Sequence, residues 1–254
     1  MAKKDDSAEM FIYDGIGLFG VEAESFINEI NAMDVNQITL RINSPGGNVF
    51  DGTAIYNALR RHKAKVDVKI DGLAASMASI IALAGDTVEM ADNAFFMIHM
   101  PWSLVVGDSE DMRKEADVLD QLAGAAVKTY ANRSGMSEAD VRSAMKEETW
   151  YSAEQAKDAG FVDTIYSGDN EEMRFDLTVF AKAPEGISAP SEHKPTERGL
   201  EAILRDAGMS KKEAAEYISA FKLERRDAGS GSQRDAEFDC EVARLVEKRG
   251  ILTT

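Results

Sequence analysis

The chain has 254 residues, 44 % hydrophobic and 29 % charged, which is enough for one domain with a large core and a smaller appendage. Its formal net charge of −16 repels phosphates and argues against nucleic acid as a partner of the bulk of the chain. No apolar run reaches the roughly 18 residues of a membrane span, and a single cysteine, Cys240, excludes an internal disulfide and a cysteine metal cluster.

The start, MAKKDDSAEM, is polar and predicts no signal peptide, so a cytoplasmic protein without metal, cofactor or membrane partner is expected. Residues 1–9 read as a flexible arm. Residues 10–18 (MFIYDGIGL) then read as a strand, followed by a helix with Val21, Phe26, Ile27, Ile30 and Met33 on one face. QITLRI alternates through Ile38, Leu40 and Ile42 as a strand and runs into the breaker cluster Asn43-Ser44-Pro45-Gly46-Gly47. A helix from about Asp51 carries Ile55 and Leu59 inward, and VDVKID alternates through Val66, Val68 and Ile70. After the small-residue turn at 72–79 come the apolar helix IIALAG and two short strands, TVEM and FFMI, the second ending at His99.

Residues 109–132 predict a long amphipathic helix with Met112, Ala116, Leu119, Ala123, Ala126 and Tyr130 on its stripe. Shorter helices start at Ser137 and Ser152, with Asp140 and Gln155 in the capping-box position, and FVDTI reads as a last strand. The alternation of strand and helix predicts an α/β core with parallel pairing over residues 10–166. Residues 167–195, with Pro184, Pro190 and Pro195, read as a linker, and residues 196–254 as a helical extension.

Three places put unusual chemistry at the end of a strand, where open α/β sheets hold their sites. Ser44-Pro45-Gly46-Gly47 is either a tight turn or a loop whose bare N–H groups hold an oxyanion. Ser76, among Gly72, Ala74, Ala75 and Ala78, is either a helix N-cap or a nucleophile that a carbonyl can approach. His99, after Phe96-Met97-Ile98 and before Pro101, is either a satisfied core histidine or a base in a dry cleft. The other histidines, His62 in a basic run and His193 in a proline-rich stretch, offer no comparable setting.

Taken together and in this order, Ser44-Pro45-Gly46-Gly47, the Gly-x-Ala-Ala-Ser-Met of 72–77 and the Met-Ile-His of 97–99 resemble the Clp protease proteolytic subunit family. ETWYSAEQAKDAGFVDTI (148–165) is similar to the family's last helix and strand, so the resemblance spans roughly residues 10–166. It implies a Clp- and crotonase-like spiral of βαβ units with a long handle helix at 109–132. It further implies Ser76 as nucleophile, His99 as general base, and the backbone N–H groups of Gly47 and Met77 as the oxyanion hole. Where the family usually has an aspartate, this chain has Glu148, which is one methylene longer and has Glu147 beside it as an alternative acid.

The same resemblance implies ring-shaped homo-oligomers acting on protein substrates. The extension of about ninety residues and the short charged arm look like head maturation proteases of tailed phages, which cleave scaffold, portal or capsid proteins inside the prohead. The arm argues against docking to an AAA+ unfoldase, the partner in a second reading as a bacterial Clp subunit. A third reading is a crotonase-like acyl-CoA enzyme, which needs an oxyanion hole but not the Ser–His pair, and a fourth is a non-catalytic assembly protein.

Overall fold

The structure, a computed structural model, describes residues 6–17, 20–103, 105, 107–168, 175, 177–184 and 212. Contacts divide the chain into two units, Met1–Ser103 with Lys114–Ser191 and Leu104–Arg113 with Glu192–Thr254. The helices expected beyond residue 196 lie, apart from Lys212, outside the described residues.

Seven strands form one sheet. β1 (Ser7–Ile12), β2 (Gln37–Ser44), β3 (Lys65–Ala75), β4 (Thr87–Ala91) and β7 (Thr164–Tyr166) lie side by side and pair in parallel. The helices α1 (Ala23–Ala32), α2 (Val49–Arg61) and α3 (Met77–Ala82) are the crossovers between them. A parallel neighbour can be reached only by such a crossover, so the sequence's strand–helix rhythm leads directly to this sheet. β1 begins three residues before the expected position, because Ser7–Glu9 already pair with Gln37–Thr39.

β3 pairs differently along its length. Asp67–Ile70 pair with Thr87–Met90 of β4, whereas Leu73–Ala75 pair in parallel with Phe95–Met97 of β5 (Phe95–Ile98). β5 in turn pairs antiparallel with β6 (Thr149–Ser152), a strand absent from the sequence expectation. At the branch, Asp71 is buried and accepts from Arg41 Nε (2.9 Å) and Tyr166 Oη (2.6 Å), and also from the Tyr13 hydroxyl. A buried carboxylate is stable only when so satisfied, and these donors tie β3 to β2, β7 and the segment after β1.

The core consists of the alternating residues the sequence marks out, among them Ile38, Leu40, Ile42, Val66, Val68 and Ile70, all at most 2 % exposed. α4 (Ser109–Ser134) buries Ala123, Val127 and Tyr130 of its C-terminal half, while Val118 is exposed. α5 (Glu138–Lys146) is capped by Ser137, and α6 (Ala153–Asp158) carries the full capping box of Ser152 and Gln155. The expected linker differs from a free segment between 177 and 183. Leu177 and Phe180 are buried there against Leu73, Ala75 and Met97 of β3 and β5.

Candidate active site

The parallel register of β3 and β5 decides where the two reactive side chains meet. Ala75 pairs with Met97, and the Ser76 N–H extends the ladder by donating to the Met97 carbonyl at 3.0 Å. Ser76 and His99 therefore leave adjacent strands at the same end of the sheet. The two side chains meet: Ser76 Oγ lies 2.7 Å from His99 Nε2.

Ser76 sits at φ 54°, ψ −123°, between the last residue of β3 and the first of α3. A non-glycine residue in that region costs about 1–3 kcal/mol and persists only where its surroundings hold it. Here the Ser76 carbonyl accepts from the Ser79 N–H (3.1 Å), from Ser79 Oγ (2.6 Å) and, at longer range, from Tyr130 Oη (3.4 Å). Ser79 Oγ and Tyr130 Oη are themselves 2.7 Å apart. Ser76 makes no capping bond to α3, so its hydroxyl is not spent as an N-cap and faces the imidazole instead.

His99 follows β5 and is half-buried, with its ring edge against Phe180 at 5.5 Å between centroids. Burial lowers its pKa below the ordinary histidine value, and the charge of Glu148 offsets this only in part. The imidazole is thus neutral at neutral pH and its Nε2 can accept a proton. Activity that needs this neutral form is expected to fall only as pH drops through a midpoint below about 6.5, the unperturbed value. A kcat/KM profile whose acid limb lies above 7 would contradict this.

The glycine loop reaches the same place. Ser44 Oγ donates to the Asp14 carbonyl (2.6 Å), and the Gly46 N–H donates to Ser44 Oγ (3.2 Å). Ile16 forms a parallel bridge with Gly47 whose two bonds use the Gly46 carbonyl (2.8 Å) and the Asn48 N–H (2.9 Å), so the Gly47 N–H takes no part in it. Gly46, at φ +95°, approaches so closely that a Cβ there would lie 2.6 Å from the Ala75 carbonyl oxygen and 2.7 Å from Ser76 Cβ. Gly46 is thus required by contact with the serine turn, and Gly47 (φ +144°) by its close approach to the Ile16 backbone, whose carbonyl oxygen would lie 2.2 Å from a Cβ there.

The acidic position differs from expectation. Glu148 acts on His99 by charge, but among the described residues no hydrogen bond joins the two. Its Oε1 accepts from the Lys182 N–H (2.6 Å) and Trp150 Nε1 (3.2 Å), and its Oε2 from the Ala181 N–H (3.0 Å). The extra methylene and a left-handed backbone (φ 49°) accompany this arrangement. Glu147 is exposed and pairs with Lys182 Nζ at 2.8 Å, which holds its carboxyl below the usual range. Between the two acids, Glu148 is the one whose charge reaches the imidazole.

Beside Ser76 and His99 lies a cavity of about 220 Å³, whose walls include Met77, Ile80, Leu122, Ala126 and Tyr130. A serine hydroxyl is a weak nucleophile until a base takes its proton, and this pair at the mouth of an apolar cavity has the parts for acyl transfer. The sequence missed the Ser79–Tyr130 contact and everything contributed by residues 177–184.

The profile of the family described as Clp protease matches residues 21–169. The chain belongs to the Clp protease family. It is 33 % identical over 156 residues to an ATP-dependent Clp protease proteolytic subunit of Streptococcus agalactiae, covering 58 % of this chain and 80 % of that relative. The corresponding subunit of Streptococcus pneumoniae is 32 % identical over the same length and coverage. A solved structure of a ClpP1 mutant from Listeria monocytogenes superposes with a TM-score of 0.57 at 26 % identity, over 63 % of this chain and 91 % of that one. The mixed α/β fold is that of the Clp family, and the chain is a serine peptidase. The crotonase-like and non-catalytic readings lose their support.

Proposed function

We propose that Ser76, His99 and Glu148 carry out peptide-bond hydrolysis through an acyl-enzyme. Ser76 Oγ attacks the scissile carbonyl carbon as His99 Nε2 takes the hydroxyl proton. The carbonyl oxygen becomes an oxyanion, for which the N–H groups of Gly47 and Met77 are the donors. The imidazolium returns the proton to the leaving amine, and water, deprotonated by the same nitrogen, releases the acid product. Glu148 contributes as a nearby negative charge that favours the imidazolium. The observation that carries this reading is the 2.7 Å contact of Ser76 Oγ with His99 Nε2.

The apolar cavity supports preference for an apolar side chain at the residue donating the scissile carbonyl. A fluorophosphonate probe is expected to label Ser76, and peptides with leucine, methionine or phenylalanine there to be cleaved at least ~10²-fold faster than those with aspartate or lysine, because burying an unpaired charge is costly. Labelling elsewhere would remove the nucleophile assignment, and equal rates across that set would remove the cavity as the side-chain site.

For the biological role we infer a head maturation protease acting on phage scaffold, portal or capsid proteins as a ring-shaped homo-oligomer. The sequence running well past residue 169, where the family match ends, supports the maturation role. Exposed residues on α4 such as Val118 support a helix that assembles with other copies. The alternative, a bacterial subunit working with an AAA+ unfoldase, is favoured by the names of the curated relatives. Co-expression with shell proteins, compared with ATP-stimulated degradation of a folded substrate in the presence of an unfoldase, separates the two.

A further inference from the structure

Residues 177–182 lie beyond the stretch matched by the family profile, yet they touch two members of the proposed catalytic set. Phe180 is 8 % exposed and places its ring edge-on to His99 (5.5 Å) and to Trp150 (5.7 Å). Leu177, also buried, packs with it on Leu73, Ala75 and Met97, which belong to the two strands that lead into Ser76 and His99. The next two N–H groups, of Ala181 and Lys182, donate to both oxygens of Glu148 (3.0 and 2.6 Å), and Lys182 Nζ neutralises Glu147. One short turn thus covers the base and holds the acid.

From this placement we propose that Leu177, Phe180 and the main chain of Ala181 and Lys182 complete the catalytic site from beyond the stretch that the family profile matches, with Phe180 a positioning residue for His99 and the Ala181 and Lys182 N–H groups the cradle of the Glu148 carboxylate. The inference rests on the catalytic assignment above. Its physical content is that a half-buried imidazole needs a wall to keep one orientation. A carboxylate that does not bond that imidazole directly needs fixed donors to keep its charge in place. The titratable groups around His99 are Ser76 and Glu148, with the Glu147–Lys182 pair beyond Glu148 and Tyr130 across the cavity.

The test uses the full chain and a peptide with an apolar residue at the cleavage position. Phe180→Ala is expected to lower kcat about tenfold with KM changed by less than about twofold, since the base is misplaced while the cavity is intact. The acid limb of the kcat/KM profile should also move up in pH, because the imidazole gains solvent. Glu148→Gln should move that limb down instead, because it removes the charge that favours the protonated ring. Phe180→Tyr should restore kcat to within about twofold, and Phe180→Leu, which covers the imidazole only in part and offers no ring edge, should lose about threefold with a smaller upward shift of the limb. Val179→Ala, whose side chain is 65 % exposed in the same turn, should behave as wild type.

If Phe180→Ala does not fold, the leucine and tyrosine variants decide alone. Equal kcat and equal limbs for those two would overturn the proposal. An unchanged or raised kcat in folded Phe180→Ala would do the same, the raised value marking the turn as an obstruction. A Ser76→Ala chain that still cleaves would instead remove the catalytic assignment, and that result is distinct from indifferent Phe180 variants on an enzyme that needs Ser76.

Discussion

Ser76→Ala is expected to reduce cleavage by about 10⁴–10⁶-fold while leaving the melting temperature close to that of wild type. The size follows from the role: without the hydroxyl no acyl-enzyme forms, and only binding and the oxyanion donors remain. The small stability change follows from the geometry. Ser76 Oγ bonds His99 and not the helix, so removing it costs α3 no cap. Alanine at φ 54° keeps roughly the strain serine already bears. His99→Ala should fall by a comparable factor, and the double variant should be hardly slower than either single one, because the two groups act as a unit. A cleavage assay paired with thermal melting checks all three. Activity in Ser76→Ala within tenfold of wild type would mean that another nucleophile operates.

Gly46→Ala is the second large effect. The new methyl group would lie 2.6 Å from the Ala75 carbonyl oxygen, 2.7 Å from Ser76 Cβ and 2.9 Å from the Met77 nitrogen, and the residue sits at φ +95°. Two of these neighbours are backbone, so no side chain can swing away to relieve the contact. The loop must therefore withdraw from the serine turn and take the Gly47 N–H with it. Loss of one oxyanion donor costs about 3–4 kcal/mol, or about 10²–10³ in kcat. Gly135→Ala provides the contrast. That glycine also has positive φ (+75°) but nothing within 4 Å of an added Cβ, so it should cost roughly 1 kcal/mol of stability and leave kcat alone. If Gly46→Ala retains full kcat, the glycine loop is not the donor.

The parts of the site legible in the sequence were those written in local composition. Gly46-Gly47, the alanine-flanked Ser76 and the histidine closing an apolar strand each break a strand–helix pattern, and their positions just after parallel strands bring them to one end of the sheet. What stayed hidden was carried by groups without a local signature. β6 has four residues, each half-buried, so no alternation marks it as a strand. The last residues of β3, Leu73–Ala75, belong to a mostly small-residue run without alternation, and read as a turn although they pair with β5. The partners of Glu148 are mostly main-chain N–H groups more than thirty positions downstream, which no residue type announces. Phe180 stands in a stretch whose polarity and prolines read as linker, and only its contacts reveal it as part of a core. The meeting of Ser79 with Tyr130 spans 51 positions and depends on how α4 crosses the turn.

The pairing of Ala75 with Met97 sets a rule for which length changes the enzyme can absorb. Residues gained or lost in the connection between α3 and β4, around Gly85, leave the reactive side chains opposite each other, since nothing there enters the ladder that aligns them. A single residue added to Leu73–Ala75 or to Phe95–Ile98 would turn every following side chain to the opposite face and send the serine or the histidine away from its partner. Variation among related chains should therefore accumulate in the crossovers and spare the two short runs that act as a common ruler.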